Sequence, residues 1–307
     1  MPRHRIRRSA LSASVTAAVL LAGSAAGGAY LAGRSPDHAP GAVASVSSVS
    51  PAATAPAAER TSEEPVVNLD AELAGAVQPL LAGADGVALS VAVLDSGSGA
   101  RAVYGGADAT YDTASIVKVD ILAALLLRAQ DEKRELTAGE RGHAVTMIEN
   151  SDNDSATALL SAVGGAAGLD AANERLGLTG TTAAHAWGLT RTTAADQLTL
   201  LEAVFGTDTS TGLSADSRTY LRGLMARVEA DQRWGVSAAG SDWALKNGWM
   251  PRSATGLWNI NSIGRVTAGG HTYLVAVLSG GQRTKESGIA LVESAARAAV
   301  GVLRTGG

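Results

Sequence analysis

The chain has 307 residues, with 25 Lys and Arg against 29 Asp and Glu, 46% hydrophobic residues and 4% aromatic ones. That length admits one large domain or two small ones with a real core. The formal net charge of −4 carries no nucleic-acid signature. The absence of Cys removes disulfides, thiolate metal sites, a cysteine nucleophile and a lipidated-cysteine anchor together.

Residues 1–33 read as a signal peptide or signal anchor. Met1–Arg8 is basic, and Ser9–Gly33 is uncharged and rich in Ala, Val, Leu and Gly. Gly23-Ser24-Ala25 would permit cleavage, and Arg7-Arg8 is a weak hint of twin-arginine export. The basic end stays cytoplasmic, so the rest is expected outside: exported, extracellular or in the cell envelope, with membrane attachment only through residues 9–33. Residues 34–65 are an Ala/Ser/Pro linker without periodicity, too polar and Pro-rich to pack. The folded domain is expected over residues 66–307.

Within it, helical spacing covers Leu69–Leu81. Strands follow at Val87–Leu94 and Ala100–Tyr104, joined by the turn Asp95–Gly99. Ser115 to about Lys133 is a helix, apolar on nearly every face and therefore central. Helices then fall at Glu140–Glu149, Ser155–Val163, Asp170–Leu176, Thr193–Phe205 and Ala215–Val228. Strands return at Asp242–Lys246, Leu257–Val266 and Tyr273–Leu278, before a last helix over Lys285–Leu303. Strands at both ends with helices between them predict an α/β (α+β) domain, one sheet assembled from distant segments with an all-helical insert.

Three motifs stand in order along this domain: Ser115-Ile-Val-Lys118, Ser151-Asp152-Asn153 and Lys246-Asn247-Gly248. On a helix, positions i and i+3 share a face, which sets Lys118 beside Ser115. A serine hydroxyl needs a base to become a nucleophile. A lysine in the apolar run IVKVDILAALLL is desolvated, which lowers its pKa toward that task. A helix N-terminus at Ser115 favours a developing anion, and its backbone N–H can donate to an oxyanion. Each motif alone is common: S-x-x-K by chance, S-D-N as a cap or turn, K-N-G as a turn. Their joint order and context carry the weight.

Together they resemble the serine β-lactamase and penicillin-binding-protein superfamily, the class A β-lactamases most closely. The resemblance covers the whole folded domain and implies an antiparallel sheet flanked by helices. It also implies a β-lactamase-like serine hydrolase acting on a β-lactam or D-Ala-D-Ala peptide, without cofactor or metal and as a monomer. It implies that Ser115 attacks the substrate carbonyl, Lys118 is the base, and Ser151 relays a proton to the leaving nitrogen. Lys246 would attract the substrate carboxylate and tune Ser151. Asn153 would hold the substrate amide, and Asn247, Gly248 and the Trp249 backbone N–H would complete the binding side, the last as second oxyanion donor.

Three departures limit that resemblance. The class A enzymes carry a deacylating Glu in an E-x-x-L-N pattern, whereas the matching stretch Thr181–Ala194 holds no carboxylate. His185 lies in it and could serve as a base, although a lone loop His is more often merely solvated. Glu149, two residues before Ser151, is expected to face elsewhere. Only 36 positions separate Ser115 from Ser151 (151 − 115), so one wall of the cleft is expected to be missing. Asn247 replaces the usual hydroxyl residue, and its amide could substitute in part. Acylation parts are thus present and the usual deacylation part is absent, which keeps two alternatives open: a DD-peptidase or transpeptidase-like enzyme, and a non-catalytic wall-peptide binder.

Overall fold

The computed structural model describes residues 67–207 and 212–305. The segment read as signal or anchor (1–33) and the linker (34–65) lie outside the described residues.

The elements in chain order are α1 (Leu69–Val77), β1 (Ala88–Asp95), β2 (Arg101–Tyr104), β3 (Tyr111–Asp112), α2 (Val117–Asp131), α3 (Ala138–Glu149), α4 (Asn153–Ala162) and α5 (Gly165–Leu176). They continue as β4 (Arg191–Thr192), α6 (Ala194–Phe205), α7 (Ala215–Met225), β5 (Ser241–Pro251), β6 (Trp258–Ala268), β7 (His271–Gln282) and α8 (Lys285–Thr305). Local chemistry sets many of the starts. Asn68, Asp152, Thr193 and Ser214 each accept a backbone N–H at a helix N-cap, and Thr137 forms a capping box with Glu140. Each such cap stabilises its helix by about 1 kcal/mol.

Five strands form one antiparallel sheet in the order β2-β1-β7-β6-β5. The sheet joins the two ends of the domain, and α2 to α7 are the insert, as the element pattern predicts. Period-2 alternation splits the core. Val91, Val93, Val275 and Val277 face α1 and α8, while Ala92, Leu94, Ala276 and Leu278 face α2 and the insert. The pair β3 and β4 is a small separate sheet, and two-residue strands leave no period to read from sequence.

Two sequence expectations shift. The helix predicted to begin at Ser115 begins as a 3₁₀ turn, Ala114–Ile116, and becomes α-helical at Val117. The strand predicted to stop at Lys246 runs on through Asn247 and Gly248 to Pro251, because the whole stretch pairs with β6. K-N-G is therefore mid-strand and not a turn.

Helix α2 carries two fully buried charged residues, Lys118 and Asp120. Neither carboxyl oxygen of Asp120 has a hydrogen-bond partner among the described residues. Burial pushes its carboxyl up to about 8; the Gln197 side chain offsets this in part and nearby Asp196 adds to it. A group whose folded pKa is raised holds a proton that the unfolded chain releases near pH 4. Stability is therefore highest below about pH 4 for this group and falls as pH rises toward 8. Asp120→Asn keeps the shape and removes the titration. It is expected to melt about 5 °C above the parent chain at pH 8 and level with it at pH 4, by thermal unfolding followed by circular dichroism.

Candidate active site

Ser115 is half-buried in the turn that leads into α2, and the chain is held there by its neighbours. Ala114 takes a left-handed backbone (φ 47°), which turns the chain sharply out of β3. The Asn261 amide on β6 donates to the carbonyls of Asp112 (2.9 Å) and Thr113 (3.0 Å), and its oxygen accepts the Ser279 N–H. β5 then closes on the same turn. A Cβ placed on Gly248 would lie 2.6 Å from the Thr113 carbonyl, 2.8 Å from the Ser115 nitrogen and 2.9 Å from the Ile116 nitrogen. Only glycine admits that approach, which brings the backbone around Trp249 beside the Ser115 N–H.

The two motif lysines converge on one hydroxyl. Lys246 Nζ donates to Ser151 Oγ at 3.0 Å, and Lys118 Nζ donates to the same oxygen at 3.2 Å. Lys118 also donates to the Ser151 carbonyl (2.7 Å) and to Asn153 Oδ1 (2.9 Å), while Lys246 donates to the Asn247 carbonyl (3.1 Å). Ser151 holds this position in a left-handed conformation (φ 59°) that costs a non-glycine residue about 1 kcal/mol or more. Both lysines are fully buried. Burial lowers the Lys118 amine to about 8, with Asp152 opposing. Burial, and then the charge of Lys118, pushes Lys246 well below its ordinary value. A second positive charge on the pair is thus disfavoured, and one amine is available as a base near neutral pH. Among the described residues, no hydrogen bond joins Lys118 to Ser115 Oγ; catalytic hydrogen bonds are often long in a free enzyme and tighten with substrate.

Ser115 opens onto a cleft of about 580 Å³. Asn153 stands on one side, Ala186 to Leu189 form one wall, and Trp249 to Ala254 form the other. None of residues 116–152 lines it. The carboxylate-free loop is folded tightly: Thr182 and Arg191 exchange backbone hydrogen bonds, and residues 187–189 make a 3₁₀ turn. In the E-x-x-L-N frame, Ala186 takes the Glu place. His185 beside it is exposed and does not line the cleft. Glu149 points away from it, paired with Arg227 at 2.8 Å. Among the described residues, no acidic side chain lines the cleft.

Asn247 corrects a sequence expectation. Along β5 the even positions 246, 248 and 250 face Ser115 and the odd ones face α8. The Asn247 amide is buried on that far side and donates to the Gln232 (2.8 Å) and Trp234 (2.9 Å) carbonyls. It ties the loop before β5 to the strand and does not reach a substrate carboxylate. The Trp249 ring also lies on the far side, edge-on to Trp234 and beneath Lys285, so only its backbone serves the cleft.

Several residues at the site escape sequence reading. Asp112 is buried and gathers Arg191 from the loop (3.0 Å), Arg252 from beyond β5, and Asn259 from β6 (3.1 Å). Trp187 lies over Lys118, its ring centroid 4.7 Å from Nζ. The only sequence mark of Trp187 is a large aromatic beside a glycine in a loop otherwise built of small residues. Among the described residues there is no cluster of three or more His, Cys, Asp or Glu suited to a metal, and no helix long and apolar enough to cross a membrane.

A five-stranded antiparallel sheet with a helical insert, carrying two buried lysines on one serine hydroxyl and a second serine at the mouth of a cleft, is the architecture of the penicillin-recognising class. The profile of the β-lactamase enzyme family matches residues 142–303, more than half of the chain, and the chain belongs to that family as a β-lactamase-like hydrolase. Ser115 and Lys118 precede the matched span. No curated protein matches the chain in sequence. Among solved structures, a β-lactamase from Xanthomonas campestris is similar at TM-score 0.63 and 21% identity, over 78% of this chain and 100% of that one. A mutant of PBP-A in an acyl-enzyme complex with penicillin G is similar at TM-score 0.65 and 22% identity, over 76% and 97%. A class A β-lactamase representative from Bacteroides cellulosilyticus is similar at TM-score 0.67 and 17% identity, over 78% and 99%. At these identities the likeness speaks for the fold.

The close approach at Gly248 is open to a direct test. Gly248→Ala is expected to push β5 off the Ser115 turn and lower the rate of serine acylation about a hundredfold or more, as loss of an oxyanion donor does. Stopped-flow labelling with a fluorescent penicillin measures it.

Proposed function

We propose that the chain is an exported, monomeric serine hydrolase that opens β-lactams by acylation of Ser115 and releases the acyl group slowly. The observation that carries this reading is the convergence of Lys118 and Lys246 on Ser151 Oγ, one helical turn along α2 from a Ser115 that opens onto a cleft lined, among the described residues, by no carboxylate.

The steps follow from the groups present. Neutral Lys118 takes the proton of Ser115 Oγ, which bonds to the carbonyl carbon. The oxyanion forms between the backbone N–H groups of Ser115 and Trp249. Ser151 gives its proton to the departing nitrogen as the C–N bond breaks, and the two lysines on its oxygen resupply it. Asn153 meets the substrate's amide side chain. Hydrolysis of the ester then needs a base for water, and among the described residues no carboxylate lines the cleft to be one. The PBP-A mutant captured as an acyl-enzyme supports the same order of events on this fold.

One feature favours a peptide as the natural acyl donor. β5 is the outer strand of the sheet and runs along the cleft, so an extended peptide ending in D-Ala-D-Ala could pair with its free edge. Export fits that choice, since it would bring the chain to the wall where such peptides lie. Release of D-Ala from a stem peptide would separate this reading from a lactam-directed one.

Incubation with a fluorescent penicillin is expected to give a persistent label on Ser115, read by peptide mass mapping, with Ser115→Ala at least about a thousandfold slower. Rapid turnover without label sinks the slow-release reading, and no label at all favours a binding protein. The acylation rate is expected to climb with pH and level off above about 8, where Lys118 has lost its proton. Ala186→Glu, which places a carboxylate in the cleft wall, is expected to shorten the life of the label about tenfold or more.

A further inference from the structure

The lining of the cleft raises the question of what keeps water off the one strong base near Ser115. Lys118 Nζ has its three donor directions filled by the Ser151 carbonyl (2.7 Å), Ser151 Oγ (3.2 Å) and Asn153 Oδ1 (2.9 Å). The indole of Trp187 lies over the amine between these partners, 4.7 Å from Nζ to ring centroid. A water within hydrogen-bond reach of Nζ on that side would overlap the ring.

The indole is fastened at several points. Its Nε1 donates to Thr157 Oγ1 on α4 at 3.2 Å. Thr157 is in turn tied to the Asn153 carbonyl at 3.0 Å. The Trp187 carbonyl accepts from Thr113 Oγ1 (3.4 Å) and from the Thr190 N–H (3.0 Å). Trp187 therefore spans from the residue two before Ser115, across Lys118, to the helix that begins with Asn153. It is half-buried and forms part of the cleft wall.

We infer that Trp187 is a positioning residue that seals Lys118 from water and so prolongs the acyl-enzyme, which rests on the acylation reading above. Hydrolysis would join a water oxygen to the acyl carbon, break the ester bond to Ser115 Oγ and return a proton to that oxygen. A base must first accept a proton from the water. Lys118 is placed to do so once the acyl group is on, and the indole occupies the side from which the water would come. The ring also removes bulk solvent from the amine, which favours its neutral form for the first step. One side chain thus helps acylation and hinders release.

The test uses the full chain, pre-labelled with a fluorescent penicillin, freed of excess reagent and followed by intact mass. Trp187→Ala is expected to lose label about tenfold faster than the parent chain, with hydrolysed penicillin as the product. The acid limb of its acylation profile is expected to move upward by about one pH unit as the amine becomes hydrated. Trp187→Phe, which restores an aromatic face, is expected to return both readouts toward the parent values. Thr157→Val, which frees the indole without touching the cleft, is expected to shorten the label's life about threefold and serves if Trp187→Ala does not fold. Equal label lifetimes for parent, Trp187→Ala and Thr157→Val overturn the inference, as does an acid limb that stays in place. The ratio of variant to parent lifetimes reports on Trp187, whereas the parent chain's own labelling reports on the acylation reading. A parent chain that never labels overturns both.

Discussion

Two buried ammonium-bearing side chains share one hydroxyl oxygen, and the rest of the molecule is arranged to permit it. Lys118 comes from α2, Ser151 from the turn before α4, and Lys246 from β5, segments far apart in sequence. Bringing two like charges into a dry site is unfavourable unless one of them gives up its proton. That unfavourable term lowers both amines toward their neutral forms, Lys118 to about 8, beside a serine hydroxyl. Ser151 and Ala114 are both left-handed without being glycine, one bearing the shared hydroxyl and the other preceding Ser115. The surrounding sheet and helices are what hold those two residues where an isolated chain would not keep them.

Much of this was legible in the sequence because it follows local rules. Periodicity placed the strands of the main sheet and the helices to within a few residues, and the spacing of Ser115 and Lys118 put them one helical turn apart. The three motifs marked Ser115, Lys118, Ser151, Asn153, Lys246 and Gly248, and the structure gathers all six around one site. What stayed hidden depends on long-range placement. Trp187, Asp112 and Asn261 act through partners distant in the chain, and no local pattern announces such contacts. The resemblance sets Asn247 in the place of a hydroxyl residue that meets the substrate, and reading K-N-G beyond the end of a strand hides which face the side chain takes. Once it is known to be mid-strand, alternation alone sends its side chain to the far face.

The loop from Thr181 to Ala194 shows how one fold carries different chemistry. Its course is fixed by β4, by the exchange between Thr182 and Arg191, and by Arg191 reaching Asp112. These contacts shape the wall without specifying what faces the cleft. Ala186 and Trp187 line it here, and a carboxylate at the first of these places would change the chemistry of the cleft without changing the fold.

β5 runs unbroken through its motif, and this bears on how such a site can change over generations. The strand presents Lys246 and Gly248 to the serine and Asn247 and Trp249 to the opposite layer, so its reading frame is binary. Point changes at 247 can drift freely among side chains that satisfy two carbonyls. A one-residue insertion or deletion upstream in β5 would instead exchange the two faces at a stroke, burying the lysine in the layer next to α8 and facing Ser115 with an amide. Divergence in this strand is therefore confined to substitution, while the cleft walls, made of loops, stay open to changes of length.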